Sequence, residues 1–434
     1  MRFSPHTTDE VRQMLAATGT SSVGELFEQI PASVRLHEPL ALPDGVSEME
    51  LVADMRSLAN RNRSADDLVC FAGAGAYDHH VPSVVWALAG RSELYTSYTP
   101  YQPELSQGVL QILFEYQSMI CELTGLEVSN ASLYDGATAL VEAVHMTLGR
   151  ERSRVLVASG VDPRAVQALR TAGRGAGYEP ETFEGDPPVG QDVAAVVVQH
   201  PNVFGVLEPV RHCFDAAHAG GATAIQIFDP LSLGVLAPPG ELGADIAVGE
   251  GQPLGNHLSY GGPYLGIIAG RLADVRKLPG RLVGETVDAE GRAGYVLTLQ
   301  AREQHIRRDR ANSNICTNQT LMAIAAAVYL AWLGPAGLVE VGQQCLAKAG
   351  YAARALAGLP GVSMLSDEPF FKEFALRLPR PADEVVEAMV ERGFLAGVPM
   401  PHAGDDVLVV ALTERRSRAE IDAFVGALGE VLAA

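Results

Sequence analysis

The 434-residue chain lacks the residue patterns that mark zinc, membrane-surface or nucleic-acid sites. Its five cysteines lie far apart, without CxxC or Cys/His ligand spacing, so we expect reduced thiols and no metal. The net charge of −20 excludes binding to nucleic acid or to an anionic membrane surface through a general positive field. The first residues contain no apolar signal segment, so we expect a cytoplasmic location.

Lysine is scarce, and the three lysines are Lys277, Lys348 and Lys372. A lysine that forms a Schiff base must present a desolvated amine in a cleft. Lys277 lies in an Arg-rich helical segment, Lys348 lies on an Ala-rich helix, and Lys372 follows two phenylalanines near the C-terminus. We therefore expect none of them to face a cleft at strand ends.

Residues 311–339 carry no charge and could be mistaken for a membrane span. Polar residues crowd the start of this run, and Gly334-Pro335 interrupts its end. The apolar part is about 16 residues, fewer than the roughly 20 that a membrane helix needs. The pattern favours a helix buried in the core or at a subunit contact.

The middle of the chain alternates short apolar runs with helical segments. Continuous apolar runs without strict alternation are typical of parallel strands covered on both faces, and their alternation with helices predicts an α/β doubly wound domain. The apolar runs are residues 155–159, 193–199, 223–229, 244–249 and 264–270. We predict an N-terminal helical arm at 1–65, a large α/β domain at 66–315, and a linking helix with a smaller α+β domain at 316–434.

Candidate binding groups follow the strands, because ligands of open α/β sheets bind at the carboxyl ends of the strands. Asp229 ends one apolar run and could pair with a pyridinium nitrogen, although a turn or cap role is an alternative. Residues 130–146 form a polar turn and a helix start that could cradle a phosphate. In GAGAYDHH, residues 73–80, adjacent side chains seldom share a metal, so a surface or interface turn is favoured.

The segment YTSYTPYQPE, residues 95–104, combines three tyrosines with two prolines. Prolines stiffen a loop, which lowers the ordering cost when the loop recognises a ligand or partner. The candidate recognition residues are Tyr95, Thr96, Tyr98, Thr99 and Tyr101. A packed connector with half-buried tyrosines is the alternative.

Several long blocks resemble the P-protein family, glycine dehydrogenase (decarboxylating) of the glycine cleavage system. They are the block around YTSYTPYQPELSQGVLQ and the blocks FAGAGAYDHHVPSVV, GGPYLG, RRDRANSNICTNQTLMA and FFKEFALRLP. The likeness extends from the N-terminal arm beyond residue 375, and it is to the alpha chain of the two-subunit form. It implies the fold type I architecture of pyridoxal phosphate (PLP)-dependent transferases, with a mostly parallel sheet in the large domain.

The resemblance also implies how the site is divided between two chains. A related beta subunit would hold PLP covalently on a lysine, in an alpha2-beta2 assembly that takes glycine and serves the lipoyl arm of H-protein. Counting back from Pro263, the lysine position falls on Gln252, so no PLP would be covalently bound here. Asp229 would occupy the vestigial position of the pyridine partner.

The implied role of this chain is to complete the partner's site with side chains. Residues 95–104, here called the tyrosine loop, supply some of the candidates. Asn312, Ser313 and Asn314 are the others, and all would position glycine and exclude water. Helix capping is the alternative for these last three residues. Two other functions stay open: a structural or regulatory subunit that adds nothing to the active site, and an independent PLP enzyme that uses Lys277 or Lys372.

Overall fold

Two units, residues 1–62 and 63–434, make up the chain in this computed structural model. The structure describes residues 5–36, 38, 40–97, 99–311 and 313–434. Unit 63–434 contains the seven-stranded and the four-stranded sheet, two smaller strand pairs and the candidate site. The boundaries predicted at residues 65 and 315 stay predictions.

The N-terminal unit contains the helices α1 (Thr8–Thr18) and α2 (Glu48–Ala59). Both begin with a capping box, made by Thr7 with Glu10 and by Ser47 with Glu50, in which each side chain bonds the other's backbone N–H. Within these two helices no residue is buried. One face of α2 exposes large apolar side chains, namely Leu51, Val52, Met55 and Leu58.

Unit 63–434 alternates helices and strands along its length. Its helices are α3 (Ser83–Ala89), α4 (Ser92–Tyr95), α5 (Gln107–Thr124), α6 (Gly136–Thr147), α7 (Pro163–Ala176), α8 (Val210–Ala219), α9 (Pro239–Leu242), α10 (Gln304–Arg307), α11 (Thr320–Leu356), α12 (Ala382–Val390) and α13 (Arg418–Ala433). Its strands are β1 (Val69–Cys70), β2 (Val128–Ser129), β3 (Arg154–Ala158), β4 (Pro180–Phe183), β5 (Val193–His200), β6 (Thr223–Phe228), β7 (Ile246–Glu250), β8 (Gly266–Gly270), β9 (Leu282–Val287), β10 (Ala293–Thr298), β11 (Ser363–Met364), β12 (Glu373–Arg377), β13 (Phe394–Leu395), β14 (Val398–Pro399) and β15 (Val407–Ala411).

The large sheet has seven strands in the order β2-β8-β7-β6-β5-β3-β4. Strands β3 to β7 pair in parallel, whereas β8 and β2 are antiparallel at one edge. Successive residues of β5 point to opposite faces: Val197 packs into one buried cluster and Val198 into another. The continuous apolar run of β5 thus reflects burial on both faces. Strand β8 runs antiparallel because a loop, rather than a crossover helix, joins it to β7.

The C-terminal region is built around the antiparallel sheet β11-β12-β15-β14. The short strand β1 joins this region by pairing in parallel with β13, and Phe71 stacks on Phe424 at 4.1 Å between ring centroids. This pairing carries the segment that follows β1 to the junction of the two sheets. The segment then supplies one wall of the candidate site.

Helix α11 links the two sheets and is kinked at Gly334, before Pro335. Its length and composition would suffice to cross a membrane, but half of its most apolar window is buried inside the fold. Ile324 and Tyr329 on its first half pack with α3 and α5, while Ala349 and Leu356 on its second half pack in the C-terminal core. The charge-free run is therefore largely a core helix, as its composition predicts.

Candidate functional site

A cavity of about 300 Å³ opens where the parallel strands β5, β6 and β7 end. The first residues of α6 line one side of it, and residues 74–77, which follow β1, line another. Residues 371–373 at the start of β12 close it from the C-terminal sheet. This position, at the carboxyl ends of parallel strands, is where open α/β sheets bind ligands.

Gln252 lies just beyond β7, and its side chain is almost completely buried. Its Oε1 accepts the N–H of Tyr77 at 2.9 Å, and its Nε2 donates to the carbonyls of Tyr77 at 3.1 Å and Asn256 at 2.7 Å. The amide therefore fastens the segment after β1 to the loop after β7. An amide nitrogen used in this way has no nucleophilic amine to offer to an aldehyde.

Asp229 follows β6 and is bonded through both carboxylate oxygens. Oδ1 accepts the N–H of Leu231 at 2.9 Å, which is the turn role foreseen for it, and Oδ2 lies 2.5 Å from Nζ of Lys372. The expectation that no lysine faces the cleft is therefore wrong for Lys372. Lys372 lies in the segment just before β12, so its contact with Asp229 joins distant parts of the chain and no local sequence pattern reveals it.

Lys372 is 1% exposed, and its ammonium group is surrounded by partners. Besides Asp229, Nζ lies 3.1 Å from Nε2 of His79 and 3.4 Å from the ring centroid of Tyr77. A cation desolvated to this degree is stable only when opposite charge and π-electron density face it. The arrangement holds Lys372 as a charged structural group.

Glu250, the last residue of β7, lies at the N-terminus of α6. Its Oε2 accepts the N–H of Gly136 at 3.0 Å, and its Oε1 accepts the N–H groups of Gln252 at 2.9 Å and Leu265 at 3.0 Å. Burial raises the pKa of Glu250 to about 7 despite these donors. A Cβ atom on Gly136 would approach the Glu250 backbone nitrogen to 3.0 Å, so glycine permits the close approach.

Glu373 forms the opposite wall with Tyr77. The Tyr77 hydroxyl donates to Oε1 at 2.8 Å, and the N–H of Ala74 donates to Oε2 at 2.9 Å. Burial raises the pKa of Glu373 to about 7. Gly205, with φ of +80°, packs so closely that an added Cβ would lie 1.8 Å from the Glu373 carbonyl oxygen.

Residues 73–80 are predicted to form a surface or interface turn, and the surface part of this prediction is wrong for Asp78 and His79, which are buried. Asp78 pairs with Arg415 and Arg416, because arginines from the segment after β15 reach it. His79 Nδ1 lies 2.7 Å from Glu414 Oε2, and Gly75 and His80 are the exposed residues of this segment. Burial lowers the pKa of His79, and the neighbouring charge of Lys372 lowers it further.

Candidate ligand atoms of His79, Cys345 and Glu414 lie within 4.8 Å of one another. The sequence pattern did not bring these residues together, since they come from three distant segments. The Lys372 ammonium beside His79 opposes a second cation at this position. The cluster is accounted for by its hydrogen bonds, including Cys345 Sγ to Glu414 at 3.7 Å.

The described residues of the tyrosine loop lie away from this cavity. Tyr95 is 66% exposed at the end of α4, and Thr96 donates its hydroxyl to the Ser92 carbonyl at 2.6 Å. Thr99 is half-buried and Tyr101 is exposed, while Tyr98 lies outside the described residues. Neither the packed-connector alternative nor a role toward another chain is decided by this placement.

Arg281, which no sequence pattern singled out, holds Tyr101. Its Nη2 donates to the Tyr101 hydroxyl at 2.7 Å, and the guanidinium carbon lies 5.1 Å above the tyrosine ring. Arg281 is 3% exposed, and within the described part of the chain its Nε has no hydrogen-bond partner and its charge has no carboxylate partner. A buried guanidinium of this kind is an available anion-binding group.

The residues before the linking helix are placed differently from the expectation. Helix α11 begins at Thr320 with Gln319 as its N-cap, so Ser313 and Asn314 do not cap it. Ser313 Oγ accepts the N–H of Ile315 at 3.1 Å, and Asn314 is exposed. Asn312 lies outside the described residues. The capping alternative is therefore wrong for the two described members, because five residues separate Asn314 from the first residue of the helix.

Comparisons with known proteins agree with one another. A family model described as the glycine cleavage system P-protein matches residues 1–428. The probable glycine dehydrogenase (decarboxylating) subunit 1 of Moorella thermoacetica is 49% identical over 447 residues, covering 100% of both chains. The crystal structure of a glycine decarboxylase (P-protein) of the glycine cleavage system, in inhibitor-bound form, superposes with a TM-score of 0.94 at 48% identity over 100% of both chains.

More distant solved structures share the fold alone. A C-DES variant with glycine covalently linked to its PLP cofactor gives a TM-score of 0.62 at 15% identity, covering 85% of this chain and 100% of that chain. The architecture is thus that of PLP-dependent fold type I enzymes, as the sequence resemblance implied.

The cavity of this chain, however, does not fit PLP. The cofactor needs a lysine amine for its aldehyde, an acid for its ring nitrogen, and free N–H groups for its phosphate. Here Gln252, on which the resemblance places the lysine position, donates its amide to Asn256, Asp229 is paired with Lys372, and the Gly136 N–H donates to Glu250. The lysine is therefore missing, and the acid and the N–H group that PLP would use are already bonded to side chains of this chain.

Proposed function

This chain belongs to the P-protein family of the glycine cleavage system. From that premise we propose that it is the subunit of a glycine decarboxylase that lacks the PLP-binding lysine. Together with a related beta subunit, in an alpha2-beta2 assembly, it would release the carboxyl carbon of glycine as carbon dioxide. The aminomethyl group would pass to the lipoyl arm of H-protein. PLP, covalently held by the beta subunit, would supply the electron sink for this reaction.

Gln252 is the single observation on which the proposal rests most heavily. Its buried amide is engaged in hydrogen bonds with Tyr77 and Asn256. By the sequence resemblance, the other subunit would carry its lysine at this position. Lys372, which does reach the cavity, has its Nζ 2.5 Å from Asp229 and 3.1 Å from His79 Nε2. A Schiff base requires an amine that is free to attack an aldehyde, and this amine is engaged within the fold. An independent PLP enzyme is disfavoured for the same reason.

The tyrosine loop would deliver this chain's contribution to the partner's active site. Tyr95 and Tyr101 are exposed and do not line their own cavity, which leaves them available to another chain. Arg281 fixes the Tyr101 hydroxyl, so the loop presents a pre-oriented phenol at low entropic cost. Thr96, Tyr98, Thr99 and Asn312–Asn314 complete the proposed set. They would orient glycine and exclude water.

The exposed face of α2 supports an obligate partner. Leu51, Val52, Met55 and Leu58 recur at helical spacing, and solvent-exposed apolar stripes of this kind mark protein contact sites. We propose that the beta subunit covers this stripe in the assembly.

The test is glycine–bicarbonate carboxyl exchange in the complex reconstituted with the beta subunit and H-protein. Tyr101→Phe removes the hydroxyl that Arg281 holds, and we expect exchange to fall by about tenfold, the value of a charge-assisted hydrogen bond. Lys277→Met, an exposed lysine on the same unit, is the matched control and should leave exchange unchanged. Gel filtration must show normal assembly for both variants.

Unchanged exchange in Tyr101→Phe and in Tyr95→Ala, with assembly intact, would contradict the contribution of the loop. That result would favour the alternative in which this chain is a structural or regulatory subunit. Exchange by this chain without the beta subunit would contradict the proposal as a whole.

A further inference from the structure

Lys372 places a cation where a ring cofactor would place its protonated nitrogen. In PLP sites, an acid at the end of a central strand pairs with the pyridinium nitrogen. Here that acid is Asp229, and Nζ of Lys372 lies 2.5 Å from its Oδ2. The Tyr77 ring covers the ammonium at 3.4 Å, so the cation is enclosed on a second side.

Glu250 places a carboxyl group where the same cofactor would place its phosphate. Helix N-termini bind phosphate through free backbone N–H groups and the helix dipole. At α6 the Gly136 N–H donates to Glu250 Oε2 at 3.0 Å, while Oε1 accepts two further N–H groups. Gly136 leaves no side chain between the two, so the carboxylate approaches the helix end as a ligand would.

Steric filling does not explain the misfit, because about 300 Å³ of cavity remains. The lining is acidic: its carboxylates are Asp135, Asp162, Asp229, Glu250 and Glu373, and its bases are Arg164 and Lys372. Both bases are already paired, Arg164 with Asp162 at 2.6 Å and Lys372 with Asp229 at 2.5 Å. A phosphate entering this space would meet like charge and find its donors engaged.

We propose that this cavity is a self-occupied cofactor site, in which Lys372 and Glu250 stand in for the ring nitrogen and the phosphate of PLP. The site therefore rejects PLP and other phosphate-bearing ligands even when a lysine is restored at position 252. This inference concerns the chain's own cavity and stands whether or not the tyrosine loop reaches a partner.

The first test is titration of the purified chain with PLP, followed by borohydride reduction and peptide mapping. Wild type and Gln252→Lys are expected to show no stoichiometric visible band and no labelled lysine in the cavity. The triple variant Glu250→Ala/Gln252→Lys/Lys372→Met, which frees both anchor points, is expected to be labelled at position 252. Labelling of Gln252→Lys alone, or of Lys372 in wild type, would overturn the proposal.

A second measurement does not depend on the triple variant folding. Glu250→Ala leaves open one N–H group at the start of α6, that of Gly136, and two in the neighbouring loop, those of Gln252 and Leu265. Inorganic phosphate should bind there about tenfold more tightly than to wild type. Phosphate should therefore raise the melting temperature of Glu250→Ala but not of wild type. Glu241→Ala, at an exposed glutamate, is the control. Equal phosphate stabilisation of all three proteins, or none in Glu250→Ala, would contradict the proposal.

Discussion

Replacing Lys372 with methionine tests how tightly the two sheets are coupled through one buried charge. Met preserves most of the apolar volume but leaves Asp229, 13% exposed at its side chain, without its ammonium partner at 2.5 Å. Removing one member of a buried ion pair costs about 3–5 kcal/mol, because the other charge stays desolvated and unpaired. We expect Lys372→Met to lose that much of the free energy of unfolding.

Adding Asp229→Asn to this variant should restore most of the loss. Asn keeps an oxygen that can accept the Leu231 N–H and carries no charge, so the double variant should lie within about 1 kcal/mol of wild type. Urea unfolding, followed by circular dichroism, measures the free energy of unfolding of each variant. Lys277→Met, whose exposed pair with Asp274 spans 3.2 Å, should cost less than about 1 kcal/mol. The reasoning is refuted if Lys372→Met costs no more than this control, or if the double variant is no better than Lys372→Met.

Two further predictions concern packing and pH. Gly205→Ala would place a Cβ 1.8 Å from the Glu373 carbonyl at a φ of +80°, so we expect a loss of about 3 kcal/mol or more by thermal unfolding. Gly175→Ala, in an exposed and open turn of α7, should instead stabilise by about 0.5–1 kcal/mol; equal effects would contradict the packing argument. Burial raises the pKa of Glu250 and Glu373 to about 7, so the folded chain keeps protons that the unfolded chain loses above about pH 4.5. Stability from these groups is therefore present below that pH and falls as pH rises toward 7, by roughly 3 kcal/mol per group. Urea midpoints should fall across this window in wild type and less steeply in Glu373→Gln; identical slopes would refute this assignment.

The local pattern of the sequence predicts most of the large sheet. The buried run of β5 and the prolines that open α7 and precede α8 mark elements close to where they occur. The apolar spacing of residues 103–125 predicts a helix that starts at Pro103. Helix α5 begins four residues later, because Pro103–Leu105 form a 3₁₀ turn and Ser106 is not helical. Hydrophobic periodicity reports which face is buried, and it does not report backbone angles at the helix start.

The chemistry of the cavity could be predicted only in part. Asp229 lies at a recognisable position after a strand, so its place could be predicted from the local pattern, whereas Gln252 was singled out only through the family resemblance. Lys372 and Glu373 contact Tyr77 and His79 across nearly 300 residues of chain, and no spacing rule encodes a contact of that range. Arg281 was missed for the same reason, since its partner Tyr101 lies in another segment.

The most direct test of the account is the location of the cofactor in the active, reconstituted complex. Borohydride reduction in the presence of PLP, followed by peptide mapping of both chains, identifies the lysine that carries it. The account predicts a labelled lysine on the beta subunit alone, with Lys277, Lys348 and Lys372 of this chain unmodified. A stoichiometric label on any of these three would contradict it.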